Sequence, residues 1–317
     1  MTPLHRVIVC PPRSGLSQGP GCRSFAVHPR ARSAEQARAY RHALLALIAT
    51  STGACSPTVA VGTLFCMPPP DAASNLDSGA PSYAGPAPTV DLDATIAQSW
   101  STGFEDGFCD YALPTGFCYT AGPASYTIVT SPVHSGRYAA AFTASVFELQ
   151  DGGMGSSQAR CVEQGVFPAV AYYGAWYYVP APATNTGDWN LLHFQSGDGG
   201  PIPLNRAYLW DVSLTNVSDG GIHISFFDFV NMSSPDASAV PPIPIGQWFH
   251  IEVYFKRAAD STGEISVWQD GEKAMDLSGL VTDPANWGQW YVGNLVTGIS
   301  PAESVVYVDD VSIRSSL

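Results

Sequence analysis

The stretch QWFHIEVYFKRAADSTGEISVWQDGEK, residues 247–273, decides the fold class of this chain. Phe249, Ile251, Val253 and Phe255 alternate with His250, Glu252, Tyr254 and Lys256, the period of two that lets a β-strand keep one face dry. A polar turn follows, then a second run, GEISVWQ, and the DG at 270–271 marks a further hairpin. A strand with a merely wet outer face could use Thr and Ser. An acid, a base, a phenol and an amine in one row suit either the floor of a site for a polar polymer or side chains that only pair with their neighbours.

Working outward, the same pattern repeats from Trp100 to the end. SYTIVT, RYAAAFTAS, SQARCVEQ, AYYGAWYYVP, WNLLHFQS, AYLWDVSLTNV, GIHISFFDFV, QWYVGNLV and SVVYVDDVSI join the two runs above, giving about eleven strands and no amphipathic helix. Gly, Pro, Asn and Asp dominate the gaps, as in SGDGGPIP and NVSDGG. Many short strands at this spacing predict an all-β fold, one antiparallel β-sandwich of the jelly-roll kind over residues 99–317. No repeat of 20 to 50 residues suggests a propeller or solenoid.

Composition sets the bounds. With 45% hydrophobic and 13% charged residues, 317 residues can bury a sizeable core. Seven of the 14 Lys and Arg precede position 42, where Glu35 is the only acid, so the rest of the chain carries 7 basic and 26 acidic residues, a net of −19. Such a surface disfavours nucleic acid and anionic membranes. The basic start leads into RHALLALIATSTGAC, residues 41–55, which reads as a secretion signal, and its TGAC ending resembles a bacterial lipobox with Cys55 as the lipidated residue. Residues 1–55 are thus expected to be leader and signal, and 56–98, rich in Pro, Ala, Gly and Ser, a flexible stalk. The membrane is then met through a lipid anchor only. After Cys55 come Cys66, Cys109, Cys118 and Cys161, an even number suited to an oxidising compartment. Cys109 and Cys118 flank a Pro/Gly turn and are the pair expected to close a short loop, with the other connectivities open.

The order YYGAWYYVP, WNLLHFQSGDGG, the stretch 247–273 and VYVDDVSI resembles the concanavalin A-like jelly rolls, which include laminin-G-like domains and the heparin-lyase and alginate-lyase type polysaccharide lyases. That resemblance implies two stacked antiparallel sheets with a glycan lying across the concave one. Such lyases often carry Gln-x-His on one strand, where the pair neutralises a uronate carboxylate or takes the C5 proton. This chain has the inverse order, His193-x-Gln195. In a lyase, His193 and Tyr254 would handle protons while Gln195 and Arg206 hold the uronate. Against this, a domain at −19 repels a polyuronate unless a local basic strip compensates. Glycan binding without turnover is therefore the leading expectation, through Trp189, His193, Gln195, Trp210, His250, Glu252, Tyr254 and Lys256. A surface adhesion module that binds protein is a third class, and in every case a monomer is expected.

The Glu-x-Asp-x-Glu pattern of sandwich glucanases, a G-x-S-x-G elbow and a P-loop are all missing from the sequence. GFEDG at 103–107 and VYVDDVSI at 306–313 resemble the first and last strands of carbohydrate-binding jelly rolls, where acids meet around a structural calcium ion. By that resemblance Glu105 and Asp310, with Asp309, would be its ligands. The alternative is that these acids fix turns at the sheet edge.

Overall fold

The computed structural model describes residues 99–315 apart from 113, 150–152, 198–206, 218–219, 236–239 and 284–286, with the backbone of three short strands, Arg6–Val9, Arg23–Ala26 and Ala60–Val61. Cys55, Cys66, Arg206 and nearly all of residues 1–98, where a leader and stalk were expected, lie outside the described residues. Arg6–Val9 pairs antiparallel with Arg23–Ala26.

Alternation of apolar and polar side chains is realised strand by strand. In chain order the principal strands are β1 (Ser99–Thr102), β2 (Gly116–Ala121), β3 (Ala124–Val129), β4 (Ala139–Ser145), β5 (Ser157–Val166), β6 (Val170–Tyr178) and β7 (Trp189–Ser196). They continue with β8 (Ala207–Asn216), β9 (Ile222–Asp228), β10 (Trp248–Lys256), β11 (Gly263–Gln269), β12 (Glu272–Leu280), β13 (Trp287–Val296) and β14 (Glu303–Arg314). Sheet A has the order β9-β8-β7-β13-β5-β2, with Ala60–Val61 added beyond β2. Sheet B has the order β12-β11-β10-β6-β14-β4-β3, and β1 pairs with the end of β14. Every pairing is antiparallel, and the described residues contain no helix. The all-β sandwich read from the sequence is the fold.

One face of each sheet meets the other. Tyr173, Tyr177, Phe249, Ile251, Val253 and Phe255 of sheet B pack against Leu192, Phe194, Trp210, Val212 and Trp290 of sheet A, all buried. Phe194 is the hinge of this packing, with ring centroids 4.9 Å from Tyr173 and 4.8 Å from Phe255. Trp189 and Trp210, each 1% exposed, belong to this core and cannot serve as sugar platforms.

The inward row of β5 carries Ala159, Cys161 and Glu163. Cys161 forms a disulfide with Cys118, its direct cross-strand neighbour on β2, at a Cα separation of 4.0 Å. Cys109 is also disulfide-bonded, so the short loop expected between Cys109 and Cys118 does not form: adjacency in the sheet, not closeness in sequence, selects the partner. Glu163 is fully buried with no hydrogen-bond partner on either carboxylate oxygen. Burial, reinforced by Asp110, holds its pKa well above the usual carboxylate range.

Two outcomes are expected. The Cys118→Ala/Cys161→Ala double variant releases a cross-link spanning 43 residues and should lose about 3 to 4 kcal/mol in urea unfolding. As for Glu163, the folded chain keeps a proton that the unfolded chain releases near pH 4.5, so stability falls as pH rises above that value toward the raised folded pKa. Glu163→Gln should flatten this decline, read as a smaller drop in melting temperature between about pH 5 and about pH 8.

Candidate functional site

The outer face of sheet A gathers the polar chemistry of the domain. On β7, Leu192 and Phe194 turn inward, which sends His193 and Gln195 outward together, as their spacing predicts. A register shift between Asn190 and Leu192 interrupts the alternation. The bulge turns Trp189 into the core and brings Asn190 to the outer face, the reverse of strict alternation.

Register then aligns three rows. Asp211, His193, Tyr291, Val162 and Phe117 stand side by side, as do Gln195, Gln289 and Gln164. In the third row Arg160 of β5 faces Gly293 of β13 and reaches across it to Asn190. Gly293 has φ +139° and a Cβ there would lie 2.4 Å from the Ala159 carbonyl oxygen, so only glycine fits beneath this crossing.

Hydrogen bonds tie the rows together. His193 Nδ1 is bound to Asp211 Oδ1, while the buried Nε2 has no protein partner. The His193 ring centroid is 5.2 Å from that of Tyr291 and 5.1 Å from that of Tyr208. The Tyr291 hydroxyl donates to Gln289 Oε1 and, at 3.4 Å, to Gln195 Oε1. Gln289 Nε2 donates to Gln164 Oε1 at 3.0 Å. Arg160 Nη2 donates to Asn190 Oδ1 at 2.5 Å, and its Cζ lies 5.6 Å from the Tyr291 ring centroid. Arg160, His193, Gln195, Gln289 and Tyr291 are each no more than 6% exposed. Aromatic side chains flank them, Phe117 and Tyr119 on one side, Tyr208 and Phe229 on the other.

Arg160, Asn190, Asp211, Gln289 and Tyr291 escaped the sequence reading. For Arg160, Gln289 and Tyr291 the signal was present in SQARCVEQ and QWYVGNLV, where Arg-x-Val-x-Gln and Gln-x-Tyr-x-Gly put polar groups at two-residue spacing inside apolar strands.

The row His250, Glu252, Tyr254 and Lys256 is elsewhere. Its strand, β10, belongs to sheet B, and Phe255 packs inward on Phe194, so the intervening residues point away from sheet A. His193 and Tyr254 therefore sit on opposite sheets with the core between them, and the composite site does not form. Tyr254 lies tilted against Tyr172 with centroids 5.2 Å apart, His250 lies 5.0 Å from Trp176, Glu252 is paired with Arg314, and Lys256 Nζ is 2.8 Å from Glu264.

Glu105, Asp309 and Asp310 do meet at one end of sheet B, around residues 134–138. Glu105 Oε1 accepts from the backbone N–H of Arg137 at 2.8 Å and of Tyr138 at 3.2 Å. Asp309 accepts from the N–H groups of His134, Ser135 and Asp310, and Asp310 binds His134 Nδ1 at 2.6 Å and the Ser135 hydroxyl at 2.8 Å. Burial pushes the Asp309 carboxyl up to about 6, against the pull of those three donors. Among the described residues no group of three or more His, Cys, Asp or Glu is arranged to hold a metal ion.

No family model and no curated protein matches the sequence. Among solved structures, the chain is similar to the endo-β-1,4-glucuronan lyase of the fungus Trichoderma reesei at 15% identity, over 62% of this chain and 88% of that one, with a TM-score of 0.46. It is similar to the alginate lyase Aly36B at 14% identity, over 69% and 97%, with a TM-score of 0.46. A third is SCLam, a non-specific endo-β-1,3(4)-glucanase from family GH16, at 14% identity, over 71% and 95%, with a TM-score of 0.40.

Proposed function

We propose that the outer face of sheet A binds a uronate polysaccharide and cleaves it by β-elimination, with His193, Tyr291, Arg160 and Gln195 as the working residues. The observation that carries this reading is the Asp211–His193–Tyr291 row: an imidazole whose Nδ1 is committed to a carboxylate, whose Nε2 has no protein partner, and whose cross-strand neighbour is a phenol. Donation from Nδ1 to Asp211 leaves the lone pair on Nε2, which makes His193 a base.

Arg160 supplies the local charge. Its guanidinium is bonded to an amide and not to a carboxylate, so its charge remains available to a substrate carboxylate. Neutralising that carboxylate acidifies the C5 hydrogen of the uronate. His193 Nε2 takes the C5 proton, the electron pair forms the C4–C5 double bond, the C4–O bond breaks, and the Tyr291 hydroxyl protonates the departing oxygen before recovering a proton from water. Gln195 and Gln289 orient the phenol. Tyr291 thus takes the place that Tyr254 held in the sequence reading.

Glycan recognition without turnover is the second reading, and it is favoured by the way Gln164, Gln195, Gln289 and Tyr291 already satisfy one another. The Cys118–Cys161 disulfide supports an oxidising compartment in either case, and a lipid anchor at Cys55 with a stalk to residue 98 would hold the domain where polymers are met.

The test is ultraviolet absorbance of new unsaturated uronate ends during incubation with alginate, glucuronan, pectate and hyaluronan. His193→Ala and Tyr291→Phe should each lower the rate by about 10²- to 10⁴-fold, while Tyr254→Phe leaves it unchanged. A flat trace on all four polymers would remove elimination and leave recognition.

A further inference from the structure

The outer face of sheet B poses its own question. A strand that only has to face water needs no rings, yet this face carries them in adjacent positions across four strands. Tyr172 lies 5.2 Å from Tyr254 and 6.4 Å from Trp268, centroid to centroid. Trp176 is held between His134, stacked at 3.8 Å, and His250 at 5.0 Å. Tyr178 lies 5.5 Å from Trp248 and 5.7 Å from Tyr307. All of these side chains are half-buried, so each keeps some of its surface toward solvent.

Between the first two groups stands Gly174. A Cβ there would come within 3.0 Å of His250 Nε2 and 3.5 Å of the Ser312 hydroxyl, so the missing side chain lets the His250 imidazole lie close against the buried backbone between the ring groups. Tyr172 and Trp176 are four residues apart on β6, and His250 and Tyr254 four apart on β10, which spaces the ring groups by about 13 Å along the strands. A polymer lying along the strands would meet the His250 imidazole with rings on both sides of it.

Charge selects the class of polymer. The ionic groups of this face are matched within it: Glu252 with Arg314, Lys256 with Glu264, Lys273 with Asp276, and His134 with Asp310. Here the guanidinium and ammonium groups are bound to carboxylates, in contrast to Arg160 on sheet A, and the net charge of −19 beyond residue 41 disfavours a polyanion. The complement of a ring-lined, internally neutralised surface is a neutral polysaccharide with flat pyranose faces.

We infer that the outer face of sheet B is a second, non-catalytic glycan site, in which Tyr172, Tyr254 and Trp268 stack on the sugars of a neutral polysaccharide. It stands apart from the reading of sheet A, because the core separates the two faces.

Affinity electrophoresis of the full chain through gels containing xyloglucan, β-mannan or mixed-linkage β-glucan tests it, with alginate as the charged control. At least one neutral polymer should retard the protein. Tyr254→Ala and Trp268→Ala should each weaken that affinity about tenfold, Tyr254→Phe should keep it, and His193→Ala should leave it untouched. The wild-type chain gives an independent readout: the retarding polymer should shield tryptophan fluorescence from acrylamide, since Trp248 and Trp268 are half-exposed here while Trp189, Trp210 and Trp290 are buried. Retardation by none of the neutral polymers, or retardation unchanged in the Tyr254→Ala/Trp268→Ala double variant, overturns the inference. So does a dimer in sedimentation that Trp268→Ala dissociates, which would assign the face to a second copy of the chain.

Discussion

Every strand of this domain gives one face to a single shared core, and that constraint decides where all its chemistry can lie. Phe194 against Tyr173 and Phe255 closes the two sheets on each other, so polar groups that alternate with core residues are driven to one of two outer faces. β5 shows both consequences in one strand. Ala159, Cys161 and Glu163 turn in, where Cys161 is cross-linked to β2, and Arg160, Val162 and Gln164 turn out. The disulfide lies directly behind the row that carries Arg160, and a cross-link there fixes the strand on which the guanidinium is mounted. On the outer side the amides of Gln164, Gln195 and Gln289 and the Tyr291 hydroxyl form a network of satisfied donors and acceptors, which holds them in one arrangement.

Period-two alternation was enough to read the fold class and the face shared by His193 and Gln195, because both depend only on neighbours along the chain. It failed at Trp189, where one extra residue in β7 exchanges inside for outside, and a bulge leaves no mark in composition. It failed differently at Tyr254. The alternation on β10 was read correctly, but which sheet the strand joins is settled by pairing with Tyr172 and Ser266, residues distant in sequence. Tyr291 and Arg160 were legible as outward residues of their strands, yet their meeting with His193 depends on β13 lying between β7 and β5. The pairing of Cys118 with Cys161 belongs to the same class of fact, since only strand order makes them neighbours.

Net charge also misleads when it is summed over a whole domain. The value of −19 beyond residue 41 describes the surface that a polymer approaches, whereas affinity at the site depends on charges a few ångströms away. Arg257 and Arg160 make the contrast plain. Arg257 is buried beside Asp283 and its charge is spent within the protein, which makes it a structural tie. Arg160 is also buried but hydrogen-bonded to the neutral side chain of Asn190, with the Asp188 carboxyl as a weaker electrostatic neighbour, so less of its charge is spent within the protein, in a medium less polarisable than water. One such group offsets a repulsive surface better than several exposed lysines screened by salt.

The same reasoning gives the two outer faces complementary duties. On the two readings proposed above, sheet A would take acidic polymer and sheet B neutral polymer, so neither would compete with the other for ligand. In a matrix containing both, attachment through sheet B would raise the local concentration of acidic chains at sheet A without any contact between the sites. That gain requires only that the two faces be held at a fixed separation, which a close-packed core of Phe, Tyr and Trp side chains provides. The aromatic content of the sequence is thereby divided between a rigid interior that spaces the faces and a half-buried outer row on sheet B.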